Sequence, residues 1–241
     1  MSDTFRIALA GNPNTGKSTL FNLLTGLRQH TGNWSGKTVD MKAGTFSFKE
    51  KQYEIIDLPG TYSLYSNSLD EEIARNYIVF EKPDVTIVIL DATAMERNLN
   101  LALQVLEMTE RTIICINLMD EAEKLGIRVN EMVLMRRLGV PVIKISARNK
   151  DGIPLLLDTI DRLLIGDIQC TPFHMPYDDE IEQRIKTLEP MVRKIFGDDL
   201  PTRWLTLRLL DGDKDLLRQV EKRNAIKEGG KYGDKNIEGT A

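Results

Sequence analysis

The sequence predicts an α/β protein. A mostly parallel sheet of six to seven strands is flanked by helices, and a small all-helical domain follows. Three observations carry this reading. Short Ile- and Val-rich runs alternate with amphipathic runs as far as Leu164. The first strand-like run passes straight into Gly11-Asn-Pro-Asn-Thr-Gly16-Lys17-Ser18, a glycine-rich turn that opens a helical pattern. Beyond Gly166 only helical periodicity remains.

The strand-like runs are Phe5–Ala10, Met41–Phe48, Tyr53–Leu58, Val85–Asp91, Thr112–Leu118 and Pro141–Ser146. Several lack strict alternation, as strands buried on both faces do. Met41–Phe48 and Tyr53–Leu58, joined by the polar link Lys49-Glu50-Lys51-Gln52, read as an antiparallel hairpin, so one edge strand is expected to run against the rest. Helical periodicity covers Lys17–Thr25, Leu69–Phe80, Asn98–Thr109, Asn130–Leu138 and Ile153–Leu164. Cys170-Thr-Pro-Phe-His-Met-Pro176 is a proline-broken connector. The helical runs Asp178–Phe196, Pro201–Leu210 and Lys214–Glu228 follow it. The expected organisation is residues 1–166, a nucleotide-binding domain; residues 167–228, a helical domain; and residues 229–241, a flexible tail rich in Gly, Lys and Asp.

Composition narrows the class. The chain has 241 residues, is 41% hydrophobic and 28% charged, and so can bury a core. A formal net charge of -4 argues against a broad nucleic-acid footprint, and no nucleic-acid partner is expected. Two cysteines, Cys115 and Cys170, make no disulfide framework and point to a reducing compartment. The N-terminus carries no signal-peptide pattern, and no window holds about 18 uncharged apolar residues, so the chain itself is expected to be soluble.

The chemistry is concentrated in four motifs. Gly11 to Ser18 fits G-x-x-x-x-G-K-[ST] in the required context, after a strand and at a helix start. Gly11, Asn14, Thr15, Gly16, Lys17, Ser18 and Thr19 then form a phosphate cradle. Glycines let the backbone approach, and the loop N–H groups and helix N-terminus face the anion. Lys17 reaches the β- and γ-phosphates and the Ser18 hydroxyl takes Mg²⁺. Asp57-Leu-Pro-Gly60 ends a strand: a carboxylate there holds Mg²⁺ through water, and the Gly60 N–H meets the γ-phosphate. Alone, D-x-x-G is also an ordinary strand-ending turn. Asn117-Leu-Met-Asp120 follows a later strand. An aspartate there accepts from both N1–H and the exocyclic amine of guanine, a donor pair adenine lacks; a helix-capping Asp is the plainer reading. Ser146-Ala147-Arg148 ends the last strand, with the Ala147 N–H placed for guanine O6.

Together these residues resemble the signature of the small, translation-factor-like GTPases, which implies a Ras-like P-loop GTPase domain binding GTP and GDP. One departure is Leu118, where the family pattern has a lysine whose stem covers the nucleotide; looser binding and faster release are expected. The Mg²⁺-linked threonine of the first switch lies in Gln29 to Asp40, where Thr31 and Thr38 are candidates and Thr38, just before the hairpin, is preferred. The resemblance then narrows. Gly11-Asn-Pro-Asn14, Gly32-Asn33-Trp34, Asp57-Leu-Pro-Gly-Thr-Tyr-Ser-Leu64, Asn117 with Asp120, and Glu96-Arg97-Asn98-Leu99-Asn100-Leu101 resemble the cytosolic N-terminal part of the ferrous iron transport protein B family. The run Arg203-Trp204 to Asp213 resembles its helical linker domain. The resemblance implies a GTPase part of a bacterial iron-uptake system at the cytoplasmic face of the inner membrane. Its partner would be a membrane permease domain absent from this chain; homo-oligomerisation is left open.

Water activation is the gap. Thr61 stands where Ras-like proteins carry glutamine, and Arg28 reads as a solvated charge rather than an arginine finger. The family is similar to potassium-activated GTPases, which implies that Asn14, with carbonyls from the Gly32 and Trp34 segment, holds K⁺ where a finger's charge would act. A turn-stabilising role is the plainer reading of Asn14. The backbone N–H of Thr38 or Gly60 would orient water. Asn12 has no assigned role beyond shaping the loop. Asp70, Glu71 and Glu72 suit a helix first turn, with a link between the switches as the alternative. Cys170 and His174 are read as structural rather than metal-binding. The competing functions are a potassium-type GTPase of tRNA modification or ribosome assembly, and a switch that binds GTP without appreciable hydrolysis.

Overall fold

The computed structural model describes residues 4–26, 28–33, 40–65, 68–213, 216 and 218–220. The chain divides into two compact units, Met1–Met175 and Pro176–Ala241.

The first unit is a seven-stranded sheet in the order β2-β3-β4-β1-β5-β6-β7. Its strands are β1 (Thr4–Gly11), β2 (Gln29–Asn33), β3 (Asp40–Phe48), β4 (Lys51–Asp57), β5 (Val85–Asp91), β6 (Thr112–Asn117) and β7 (Val142–Lys144). Strands β4, β1, β5, β6 and β7 run parallel. Only β3 opposes its neighbours, and β2 opposes β3 in turn. The strand expected to run backwards therefore does so, but one place inside the edge. The edge is taken by β2, drawn from a polar segment with no strand signature; pairing with β3 supplies what local propensity does not. The β3–β4 turn is also tighter than its polar link implies. Phe48 faces Lys51, and Lys49 and Glu50 turn the chain at φ +46° and +62°. Two successive positive φ values match the right-handed twist of the strands.

The sheet is buried from both sides. Ile7 and Leu9 of β1 and Ile87 and Ile89 of β5 join Leu20 and Phe21 of α1 (Lys17–Thr25) and Leu156 and Ile160 of α6 (Ile153–Leu164) in one cluster. The intervening Ala8, Ala10, Val88 and Leu90 are equally buried; successive side chains leave opposite faces of a strand. Helix α2 (Leu69–Asn76) passes into a π-helical turn, Tyr77–Glu81, so the expected single helix to Phe80 changes pitch after Asn76. Helix α3 (Met95–Leu106) starts three residues early, after a 3₁₀ turn at Ala92–Ala94 whose lead residue Asp91 accepts from Thr93 N at 2.7 Å. A short α4 (Met119–Lys124) lies where none is predicted, and α5 (Glu131–Leu138) is capped by Asn130.

The composition changes at Gly166, yet the backbone stays tied to the first unit up to Met175. Thr171 N donates to Gly139 O, Phe173 N to Leu138 O, and Met175 N to Glu107 Oε1. The second unit contains α7 (Asp179–Phe196) and α8 (Thr202–Leu210). Arg203 closes a two-pronged ion pair on Glu182, its NH1 and NH2 lying 2.9 and 2.8 Å from the two carboxylate oxygens. Ile185, Val192, Trp204 and Leu205 are buried beside it. Of the run Lys214–Glu228, residues 216 and 218–220 are described and are helical. The expected tail, 229–241, lies outside the described residues.

Candidate functional site

The parallel strands deliver their carboxyl ends to one edge: Gly11 from β1, Asp57 from β4, Asp91 from β5 and Asn117 from β6. In open α/β sheets this edge is where ligands bind. The loop after β1 leaves the strand at Gly11 and enters α1 at Lys17. Gly16 adopts φ +84° as the helix N-cap, and a Cβ there would collide with Asn117 Nδ2. Glycine is thus required twice, by dihedral angle and by space. Gly11 is also closely packed: a Cβ would stand 2.9 Å from Ile89 O. Thr15 Oγ1 donates to Asn12 O at 2.9 Å and fastens the loop across its own turn. The Asn12 side chain is buried, and neither of its amide atoms has a partner among the described residues. Asn14 is exposed at φ +66°.

Lys17 and Asp57, both largely buried, form an ion pair. Lys17 Nζ also donates to Leu58 O at 2.5 Å. Ser18 Oγ stands 3.5 Å from the other carboxylate oxygen of Asp57. Ser18 and Lys17, at the start of α1, and Asp57, at the end of β4, therefore converge on one point. A hydroxyl and a carboxylate are hard oxygen donors and fit Mg²⁺. Downstream, Thr61 N donates to Gly11 O at 3.3 Å, and Gly60 backs onto Pro13, the position of its missing Cβ lying 3.4 Å from Pro13 N. Phosphate loop and D-x-x-G segment are thus in contact.

The base end is held by amides. Asn117 Nδ2 donates to Thr15 O at 2.9 Å, and Asn117 Oδ1 accepts from Ala147 N at 3.0 Å. The Ala147 N–H, the group expected to meet guanine O6, here donates to Asn117. The two bonds give Asn117 a joining role between two loops that the motif alone does not reveal. Ser146 Oγ donates to Asp120 Oδ1 at 2.9 Å and accepts from Asn149 N at 3.3 Å. A carboxylate offers about four acceptor sites, so Asp120 keeps an oxygen for a ligand. Asp120 and Ser146 line a cavity of about 790 Å³ together with Met119, Lys144, Asn149 and Asp151. Leu118 turns the chain at φ +62° just before Asp120, and Arg148 is exposed, 4.0 Å from Glu121.

The first switch is only partly described. Thr31 and Gly32 lie in β2, opposite Lys42 and Met41. Trp34 and Thr38 lie outside the described residues. Arg28 is exposed. Glu71 accepts from Ser63 Oγ at 2.8 Å, tying α2 to the segment after Gly60. Cys170 Sγ lies 4.0 Å from Thr112 O, whereas His174 Nδ1 lies 3.2 Å from Glu107 Oε2. The two take separate partners, and among the described residues no group of three His, Cys, Asp or Glu side chains is placed to hold a metal.

The family described as Ferrous iron transport protein B matches residues 5–160, and the FeoB cytosolic helical domain matches residues 177–239. The Fe(2+) transporter FeoB of Shigella flexneri is 42% identical over 215 residues, 86% of this chain and 27% of that protein. Its counterpart in Methanocaldococcus jannaschii is 56% identical over 105 residues, 44% of this chain and 16% of that protein. The chain thus spans about a quarter or less of these relatives' length. The cytosolic domain of the T. maritima FeoB iron transporter in a GDP form superposes with a TM-score of 0.83 at 35% identity, covering 92% of this chain and 86% of that one. Its GMPPNP form gives 0.81 at 35%, covering 90% and 85%. With both units matched in chain order and the motif residues gathered at one sheet edge, the chain belongs to the ferrous iron transport protein B family.

Proposed function

We propose that the chain binds GTP and GDP with Mg²⁺ and hydrolyses GTP, as the nucleotide-dependent part of a ferrous iron transporter. The observation that carries this is the convergence of Lys17, Ser18 and Asp57 beside a phosphate loop, with Asp120 facing a cavity at the other end of the same edge. The likeness to FeoB cytosolic domains in GDP and GMPPNP forms supports the ligand class. Among the described residues no helix is long and apolar enough to cross a membrane. A permease would be supplied by the part of the relatives that this chain does not span, and this chain would lie at the cytoplasmic face of the inner membrane.

The chain's own groups divide the work. The loop N–H groups from Asn14 to Ser18 and the start of α1 meet the phosphates. Lys17 would leave Asp57 to pair with the β- and γ-phosphates, an exchange of one anion for another. Ser18 and Asp57, with Thr38, would hold Mg²⁺, which neutralises phosphate charge when bound. Asp120 accepts from N1–H and the exocyclic amine of guanine, with Ser146 fixing its carboxylate. The Gly60 N–H would meet the γ-phosphate and, with the Thr38 N–H, would orient the attacking water.

Thr61 offers no side-chain amide, so charge at the β–γ bridge needs another source. Asn14 fits K⁺ at that place: its amide oxygen is a neutral ligand on an exposed turn. Carbonyls from Gly32 and Trp34 would complete the site. The test is single-turnover hydrolysis in K⁺ and in Na⁺. Faster hydrolysis in K⁺, lost in Asn14→Ala with GDP affinity retained, is the expected result. Equal rates in the two salts refute the potassium role. Absence of GDP binding refutes the whole reading.

A further inference from the structure

We propose that one face of α3, made by Arg97, Asn100 and Gln104, is a latch for the backbone that follows Asp57-Leu-Pro-Gly60, and that Gln104 is a positioning residue for hydrolysis. The proposal rests on the reading above, in which Gly60 meets the γ-phosphate.

The three residues are spaced i, i+3 and i+7 and so share a helix face. Gln104 is buried, and its Oε1 accepts from Leu64 N at 2.6 Å. Leu64 N–H can only donate, so the oxygen of the amide must face it. Gln104 Nε2 lies 3.4 Å from Asn100 Oδ1, which favours the same orientation. One turn nearer the start of the helix, the Arg97 guanidinium lies 5.4 Å from the centre of the Tyr62 ring. The Leu64 side chain is itself buried at 2% exposure. Segment 61–64 is therefore held from both sides: Thr61 N by Gly11 O, and Leu64 N with Tyr62 by α3.

The latch is built on a rigid base. Asn98, fully buried on α3, accepts from Asp91 N at 3.0 Å and donates to Ala94 O at 3.0 Å, fixing the helix start to the end of β5. Thr61 N on Gly11 O and Ser63 Oγ on Glu71 hold the start and middle of the segment, and Gln104 supplies the acceptor that holds its end at Leu64. Removing that acceptor leaves a buried N–H unpaired and lets the backbone beside Gly60 turn away from the phosphate loop.

The experiment uses the whole chain, with GDP and with a non-hydrolysable GTP analogue. Gln104→Leu keeps the volume and removes the acceptor. The expected result is a fall in kcat of about tenfold, with KM for GTP and Kd for GDP unchanged within about twofold. Amide exchange in the peptide covering residues 58–65 should quicken by about tenfold. Gln104→Glu keeps an acceptor, and Asn100 can turn its exposed amide to donate to it. That variant should restore slow exchange and most of kcat. Unchanged kcat and exchange in Gln104→Leu overturn the proposal, as does a loss that Gln104→Glu fails to restore or that GDP affinity shares equally. If Gln104→Leu does not fold, Arg97→Ala, at an exposed position, decides instead. It should quicken exchange in the same peptide and lower kcat by a smaller factor; no change in either overturns the latch. A wild-type chain without hydrolysis would remove the catalytic role, and the exchange comparison alone would then decide whether the latch exists.

Discussion

Asn117→Ala is the most direct perturbation of the site. The side chain is 1% exposed and makes two hydrogen bonds, from Nδ2 to Thr15 O at 2.9 Å and from Ala147 N to Oδ1 at 3.0 Å. Alanine leaves a carbonyl and an N–H buried without partners, since Thr15 and Ala147 are themselves buried at 1% and 4% exposure. Each orphaned group costs about 1–3 kcal/mol, and water entering the vacated space recovers some of it, so about 2–4 kcal/mol is expected. In a unit of this size about 1 kcal/mol moves Tm by about 2–4 °C, which predicts a fall of about 4–16 °C. The assay is thermal unfolding followed by circular dichroism without nucleotide, so that the structural role is read apart from ligand binding. GDP affinity, measured by calorimetry, should fall as well, because phosphate loop and base loop lose their connection. Asn117→Asp keeps the acceptor for Ala147 but sets a carboxylate against Thr15 O. It should be at least as damaging as alanine. An alanine variant with unchanged Tm in the absence of nucleotide would refute the reasoning, for the two loops would then be held by something else.

Three further outcomes follow from the same geometry. Asp120→Asn should weaken GDP by about 10²–10⁴-fold, the worth of two hydrogen bonds to a carboxylate, and should favour xanthosine diphosphate, whose C2 carbonyl accepts from an amide; unchanged GDP affinity would sink the base assignment. Leu118→Lys should raise GDP affinity by about tenfold through slower release, since Leu118 already turns at φ +62° and a lysine stem can lie across the base; no gain counts against the expected looseness of binding. In the second unit, Arg203 pulls the Glu182 carboxyl from its ordinary 4.5 down to about 2. A depressed carboxylate stabilises the fold above its unfolded value, and that contribution is lost as pH falls through the folded value. Tm of the helical unit should therefore drop between pH 4.5 and about 2, and Arg203→Ala should flatten that drop; parallel curves would refute the pairing.

What the sequence disclosed depended on how local the determinant is. The boundaries of β5, α1 and α6 coincide with their expected runs because an Ile/Val run or a helical stripe needs no knowledge of its neighbours. Strand β2 escaped notice for the opposite reason: Gln29-His-Thr-Gly-Asn33 has no apolar face, and only the exposed edge of β3 makes it a strand. The β3–β4 turn is shorter than its polar link suggests, and Lys49 and Glu50 carry none of the Gly or Asn that usually marks two positive φ values. In the site, Lys17, Ser18 and Asp57 were legible from spacing. The partners of Asn117 and Gln104 were not, since an amide in a strand end or a helix names no partner until a distant backbone group arrives.

Those hidden partners share one chemical choice. The fixed joints at the carboxyl edge of the sheet are neutral amides: Asn117 between the phosphate and base loops, Asn98 between β5 and α3, Gln104 between α3 and Leu64. An amide both donates and accepts, so Asn117 and Asn98 each satisfy two backbone groups, and Gln104 one backbone group and the Asn100 side chain, while adding no net charge. A charged strut in place of Asn117, which touches the phosphate loop itself, would add a field felt by a bound polyphosphate and would be drawn from its partner when the ligand arrives. The charged pair that does stand there, Lys17 with Asp57, suits exchange: under the proposed function each member would find a stronger partner in a nucleotide or its metal. Under the proposed function, the division between neutral joints and exchangeable ions would let the phosphate ligand change at one end of the sheet while the loops that frame it keep their places.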